Sequence, residues 1–531
     1  MQDWLVRVEA VNLDSFVYDT QDVSTVRGGG LLLLDMAAQL DCGLTKVFTS
    51  GSIGLFRARS DSAAGLKAKV LEWLASKPAL NEAGILVDVA EFDESNGDFP
   101  AAHDRARAGI RWSQMQAPAI VYPVDLDQTQ VCYYDRIRPA PKTDPKKEDN
   151  RDSNPVSTVT HVRRRYGIER KQRFYASEAR VDPAWKYTFD LDQLTDDREA
   201  GYLHHKMALI YLDGNKFSKI VGACLSPWEL GECSRTLRAN QGSILRRILD
   251  EMTSGRLARH RTHYRHEKDG EILRVETLLW GGDEIIWAVP AWLGWWWMKQ
   301  FFTHYGRLGS WQLDGQTVTT TDNYKGSPLT HGAAVVFCHH DAPLQRIISL
   351  ARNLADWPKS KGMVNTFTYQ TLESFDYLGE DVEGIRRRRL PQELVPVDDG
   401  EAPDFYCLPG SNMEQIERSM RKLHSCVPKG ELHALVQILC RDRDFAEGLK
   451  AAAVLVKKSE KRDVKARQYL DELVAALGMA NYTADQRQAA AWIHLLELWD
   501  YVVDPEPADG QPDAAGTTRS ASSLSEGARN Q

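Results

Sequence analysis

No two of the eight cysteines (Cys42, Cys132, Cys224, Cys233, Cys338, Cys407, Cys426 and Cys440) stand in a C-x-x-C spacing. Neither a zinc ribbon nor a disulfide framework is indicated, and reduced, mostly buried thiols are expected. No run approaches the roughly 20 apolar residues needed to span a bilayer. The richest, Trp287 to Phe302, is interrupted by Pro290, Gly294 and Lys299. The opening MQDWLVRVEA lacks a basic region followed by a long apolar run, so no signal peptide is expected and a cytoplasmic location follows. Net positive charge is missing too: −8 at pH 7 gives no global pull on nucleic acid. Basic residues cluster locally instead, at Arg163-Arg164-Arg165 with Arg170, Lys171 and Arg173, and at Arg386 to Arg389. Such runs are usually solvated faces, and a phosphate-binding role is the competing reading.

The 531 residues, 43% hydrophobic and 26% charged, read as a globular chain of two to four domains. Residues 1–125 alternate strand and helix signals. Trp4 to Val11 reads as a strand, Gly28-Gly29-Gly30 opens an apolar helix from Leu31 to Leu40, and Lys46 to Ala58 is a hairpin around Ser50-Gly51-Ser52. Ala63 to Ser76 reads as a helix and Gly84 to Phe92 as a strand. Residues 138–160, rich in Pro, Lys, Asp and Ser, read as a linker or disordered loop. Residues 200–380 form a second unit, 381–410 a basic connector, 411–502 a helical region and 503–531 a disordered tail.

Three segments of the second unit carry chemistry together. A strand from Lys206 to Leu212 ends in Asp213-Gly214-Asn215-Lys216-Phe217. A carboxylate at a strand end can hold a hard cation, and the following N–H groups can face a triphosphate, with Lys216 and Lys219 adding positive charge. Apolar strands from Ile272 to Trp280 and Ile285 to Val289 flank Gly281-Gly282-Asp283-Glu284. The glycines allow a tight turn and close approach of a phosphate, and the acidic pair meets the carboxylate of the first strand. After a helix from Pro343 to Ala355, Trp357-Pro-Lys359-Ser-Lys361-Gly362 offers lysines for terminal phosphates. Singly, each is commonly an ordinary turn; the order of strand, helix, hairpin, helix, strand, helix and lysine is the specific signal. Trp280 could stack on a base, but an aromatic before a hairpin is more often core, as is the Trp-rich helix after Pro290.

With these residues in place, the sequence resembles the GGDEF/nucleotidyl-cyclase palm superfamily, and within it the large polymerase/cyclase subunit of type III CRISPR effector complexes. The Gly281–Glu284 tip stands where that family carries Gly-Gly-Asp-Asp, and Asp213-Gly-Asn215-Lys-Phe where its first metal-binding strand ends. Gly332 to Leu344 resembles the strand, histidine and Pro-Leu helix start that follow. Arg27-Gly28-Gly29-Gly30-Leu resembles the family's first, degenerate palm, whose Ser50-Gly51-Ser52 hairpin has no acidic pair. Cys132 with Ile137-Arg138-Pro139-Ala140 resembles the zinc-binding insertion between the palms, with one cysteine left.

The resemblance implies an α+β fold: two ferredoxin-like palm domains (1–125 degenerate, 200–380 with the acidic tip), a linker or insertion at 126–199 that has lost its zinc ligands, and a C-terminal all-α domain. The sequence departs from the family in that no HD nuclease domain is expected before the first palm; His339-His340-Asp341 follows a buried strand and is no substitute. Asp213, Asp283 and Glu284 would be catalytic and hold two Mg2+ or Mn2+ ions. Gly214, Asn215, Lys216, Phe217, Lys219, Gly281, Gly282, Lys359 and Lys361 would bind nucleotide. Asn215, where the family has a second aspartate, can offer an oxygen but no charge.

The implied reaction is nucleotidyl transfer from ATP, closing into a cyclic oligonucleotide, adenine being preferred through the resemblance alone, in antiviral defence. Implied partners are ATP, guide or target RNA and other effector subunits, or a second copy if the chain acts alone. A competing class is a scaffold that binds RNA and nucleotide without catalysis; a third is a stand-alone diguanylate cyclase, against which the tandem palms and helical C-terminus argue.

Overall fold

In the computed structural model, the described residues are 2–80, 82–116, 129–141, 154–215, 217–305, 330–373, 388–395 and 405–502, with residue 384 and short backbone pieces between 310 and 328. The middle of the expected loop, 142–153, with Lys216, Arg386, Arg387 and the tail at 503–531, lies outside them.

The first unit runs β1 (Gln2–Val11), α1 (Val23–Gln39), β2 (Thr45–Ser50), β3 (Ile53–Ser60), α2 (Ala63–Ala75), β4 (Gly84–Glu91) and α3 (Phe99–Gln116), with sheet order β2-β3-β1-β4. A long helix, α4 (Thr158–Glu178), and a short one, α5 (Leu191–Thr195), follow. The second unit runs β5 (Lys206–Asn215), α6 (Phe217–Gly222), α7 (Pro227–Thr253), β6 (Glu276–Gly281), β7 (Glu284–Pro290), α8 (Ala291–Tyr305), β8 (Thr330–His339), α9 (Leu344–Ser360) and β9 (Thr366–Thr371). Its strands lie in the order β6-β7-β5-β8-β9, the same topology with a parallel strand added beside β8. Both units therefore have the antiparallel ferredoxin-like βαββαβ order. Five helices close the described chain: α10 (Met413–Cys426), α11 (Lys429–Cys440), α12 (Phe445–Glu460), α13 (Ala466–Ala476) and α14 (Ala484–Glu497).

Both faces of the second sheet are buried, so its strands read as continuous apolar runs. Leu209, Tyr211, Ile286 and Val336 join a core with Ile347 and Leu354 of α9 and with Val6 and Phe56 of the first unit. Ile210, Leu212, Trp287 and Phe337 join a core with Trp292, Trp297 and the C-terminal helices. The Trp-rich helix is thus packing, as expected, and removing one such ring costs about 3–5 kcal/mol.

Two expectations need correction. The glycines do not open α1: it begins at Val23, where the Asp22 carboxylate accepts the Thr25 N–H at 2.8 Å. Gly28 sits inside the helix because α4 crosses it backbone to backbone. A Cβ on Gly28 would lie 1.8 Å from the Arg163 carbonyl oxygen, and one on Gly167 2.0 Å from that of Ser24. The stretch 126–199 is also not mainly linker, since it carries α4, which joins the two units.

The basic run on α4 is neither a solvated face nor a phosphate site over most of its length. Arg163 is fully buried and pairs with Asp19 at 2.9 Å, Arg170 pairs with Asp35 at 2.7 Å, and Lys171 pairs with Glu276 at 2.7 Å. Arg27 of α1 reaches the same Glu276 carboxylate. This buried triad joins α1, α4 and the first residue of β6. Arg165 and Arg173 do face solvent. Cys132 is buried with its N–H on the Arg138 carbonyl at 2.9 Å, and Arg138 is itself buried against Asp19 and Asp135. Among the described residues no cysteine belongs to a metal-ligating cluster.

Candidate nucleotide site

The second unit brings Asp213 and Glu284 to one end of its sheet through strand register. Asp213 of β5 lies directly opposite Glu284 of β7. Cross-strand partners point to the same face, and Asp213 shares its parity with Leu209 and Tyr211, so both carboxylates lie on the α9 face. There the protein supplies its own cations. The Lys359 ammonium sits on the Asp213 carboxylate and lies 3.5 Å from Asp356. Tyr211 donates its hydroxyl to Glu284, and the Arg352 guanidinium stands 4.0 Å from the same carboxylate. Arg352 also lies over the rings of Tyr18 and Tyr211 and 3.7 Å from Asp14, so the first palm contributes to the site.

Burial sets the protonation balance. It pulls Lys359 down to about 8. It pushes Asp283 up to about 6, helped by the neighbouring charge of Glu284. Tyr18 and Tyr211 are raised as well, first by burial and then by Glu284; Tyr211 donates to Glu284, while the buried Tyr18 hydroxyl makes no hydrogen bond.

Asp283 sits on the turn between β6 and β7. Its carbonyl accepts the Gly214 N–H at 3.0 Å, and its Cβ lies on the Gly214 side, away from the α9 face. Gly282 adopts φ +57°, a conformation glycine takes without strain. The tip also touches the matching hairpin of the first palm: a Cβ on Gly281 would be 2.3 Å from the Gly51 Cα, and one on Gly282 2.4 Å from the Ser50 hydroxyl. The two hairpin tips therefore meet tip to tip, which is why three glycines stand at these two turns. Beside the contact lies a cleft bounded by Ser50, Gly51, Gly281, Gly282, Phe217 and Arg238, with room for about one water (20 Å3). Gln241 of α7 closes one side by donating to the Gly282 carbonyl at 2.5 Å.

Of the residues singled out in the sequence, Asp213, Glu284 and Lys359 meet on the α9 face, Gly281 and Gly282 form the turn, and Asp283 and Phe217 lie on the other side, against Gly214. Asn215, of the same parity on β5 as Asp213, is buried and donates to the Thr330 hydroxyl at 3.0 Å, while its Oδ1 has no hydrogen-bond partner. Lys219 is exposed on α6, and Lys361 caps α9 with its ammonium over the Trp357 ring. Lys359 lies inside α9, which runs on to Ser360, and not after the helix as expected. Trp280 is core: its indole N–H reaches Glu178 at 3.2 Å and its ring meets Phe174 edge-on. Sequence reading missed Arg352, Tyr211, Tyr18 and Arg238. Arg352 stands seven residues before Lys359, two helical turns along the same face, and that spacing was the available signal.

The donor set suits a hard divalent cation. Two carboxylates on neighbouring strands share one face, and each now has a protein cation beside it, marking where positive charge is needed.

No family model matches the chain, and no curated protein matches it. Among solved structures, the crystal structure of Csm1 in T. onnurineus superposes with a TM-score of 0.53 at 12% identity, covering 94% of this chain and 69% of that one. A Csm1–Csm4 cassette in complex with cA4 aligns at 12% identity with a TM-score of 0.47, covering 94% of this chain and 70% of the other. The two ferredoxin-like units and helical C-terminus thus have the fold of Csm1 over nearly the whole chain.

Proposed function

We propose that this chain is a palm-type nucleotidyltransferase that joins ATP into oligoadenylate, closed into a ring, as a type III CRISPR large subunit in antiviral defence. The observation that carries the reading is the cross-strand pair Asp213 and Glu284, set at a palm sheet end beside the Gly-Gly turn and ringed by Lys359 and Arg352. The resemblance of the tip and of the first strand end to that family, and the Csm1-like fold, support it.

Asp213 and Glu284 would hold Mg2+ or Mn2+, which would supply Lewis-acid polarisation of phosphate and a lowered pKa of the attacking ribose hydroxyl; Asp283, whose Cβ lies on the other side of the sheet, would join them only once the turn has moved. With a cation on Asp213, Lys359, which now pairs with that carboxylate, would be free to face the substrate triphosphate. Arg352, stacked on the rings of Tyr18 and Tyr211, would add positive charge beside the Glu284 carboxylate. The Gly281-Gly282 backbone lets phosphate approach without a Cβ in the way. The cleft between the hairpin tips must widen to admit a nucleotide, and the glycine contact at Gly51 and Gly281 is where the palms would part.

The second reading, a subunit that binds nucleotide and RNA without turnover, draws on Asn215, which turns its amide to Thr330 and brings no carboxylate. A pyrophosphate-release assay with ATP and Mn2+ separates the two. Release that Asp213→Ala abolishes supports the transferase. Mn2+-dependent ATP binding without release, in the presence and absence of RNA, supports the scaffold.

A further inference from the structure

At the other end of β5, about 26 Å from Asp213 by strand rise, four histidines converge. His204 and His205 precede the strand, His339 ends its neighbour β8, and His340 follows it. Ring centroids are 5.1 Å apart for His205 and His340, 4.6 Å for His339 and His340, and 3.7 Å for His204 and His205. Asp192 of α5 enters the same space. Its Oδ1 lies 3.6 Å from His205 Nδ1 and 3.8 Å from His340 Nε2. Those separations are too long for hydrogen bonds. They fall near the edge of a tetrahedron whose bonds to nitrogen and oxygen are about 2.0–2.1 Å, an edge of about 3.3 Å.

Three further features fit a metal. His205 Nδ1 is shut off from solvent and makes no hydrogen bond. His205 is held at φ +62°, in the left-handed region, with its N–H on the Thr195 carbonyl at 3.1 Å and its own carbonyl accepting the His340 N–H at 2.9 Å. A non-glycine residue stays there only when its surroundings require it. The other ring nitrogen of His340 lies 3.4 Å from Asp341, the carboxylate–histidine relation that orients metal-bound imidazoles. Lys206, the nearest ammonium in sequence, is turned to Glu373 at 2.6 Å.

We infer that Asp192, His205 and His340 form a binding site for a borderline divalent transition metal such as Zn2+, separate from the nucleotide site and clamping α5 to the start of β5 and the end of β8. Two imidazoles and one carboxylate leave a fourth position for water, with His204 and its 3.1 Å partner Asp196 beside it. The site is independent of the transferase reading.

Chelator-treated full-length protein would be titrated with Co2+ and then Zn2+. The inference predicts one equivalent of Co2+ with the intense visible absorption of low-coordinate cobalt, displaced by one equivalent of Zn2+. It predicts that Zn2+ raises the melting temperature. His205→Ala with His340→Ala would lose both signals while melting like the parent without metal. Should that pair not fold, His340→Gln and Asp192→Asn serve in its place. Asp341→Asn would weaken binding about 10–100-fold, and Asp283→Ala with Glu284→Ala would leave the cobalt spectrum intact. No saturable absorption, an unchanged spectrum in the His205 and His340 variants, or its loss in the Asp283 and Glu284 variant would overturn the inference.

Discussion

Lys359 places its ammonium on the carboxylate of Asp213, so the acidic end of the central palm strand is held by a lysine from the helix beside it. Lys359→Met is expected to lower the rate of nucleotide transfer about 100-fold or more, the usual cost of losing a charge aimed at developing phosphate negative charge. Mn2+ should bind Asp213 more tightly in that variant, since the competing cation is gone. Steady-state kinetics beside Mn2+ titration checks both; unchanged kcat would remove Lys359 from the reaction.

The same region sets a pH profile. Asp283, pushed up to about 6 by burial, must lose its proton to act as a metal ligand, so activity rises through pH 6. Lys359, pulled down to about 8 by burial, loses its charge above that pH, so activity falls. A bell between about 6 and 8 is expected from kcat/KM against pH. For stability the sign is fixed by the proton. Between its ordinary 3.8 and about 6, Asp283 holds a proton more tightly folded than unfolded, so stability falls as pH rises through that window. Asp283→Asn removes the fall, and its melting temperature should exceed the parent's at pH 7 and match it below pH 4.

Glu276 answers two buried cations, Arg27 and Lys171. Glu276→Gln leaves them uncompensated and should destabilise the chain by about 3–5 kcal/mol, read by urea unfolding. The three side chains lie apart from the nucleotide site, so ATP binding by the folded fraction should be retained.

Gly281→Ala would drive a methyl group into the backbone of Gly51. The tips must separate, at about 1–3 kcal/mol of stability, with loss of nucleotide binding. Gly222→Ala, where a Cβ meets nothing within 4 Å, is the control and should behave like the parent.

The meeting of Asp213 and Glu284 was legible because strand parity is rigid, whereas the G-G-D-E hairpin did not tell that Asp283 turns to the other side of the sheet. The Trp-rich helix was legible as core for the same reason, its rings recurring at helical spacing. Gly28 was misread because a triple glycine resembles a helix start locally, whereas its cause is α4 crossing 139 positions later in sequence, at Gly167. The basic run on α4 misled because the partner acids, Asp19, Asp35 and Glu276, are scattered along the chain and meet only in the folded state. The histidine cluster was hidden in the same way, split between residues 204–205 and 339–340 and joined only by β5 pairing with β8.

The most direct test incubates the purified protein with radiolabelled ATP and Mg2+ or Mn2+, with and without RNA, beside Asp283→Ala with Glu284→Ala. The account predicts a metal-dependent oligoadenylate, part of it cyclic, absent from the double variant. ATP left intact under every condition, or a product that the double variant still makes, would contradict it.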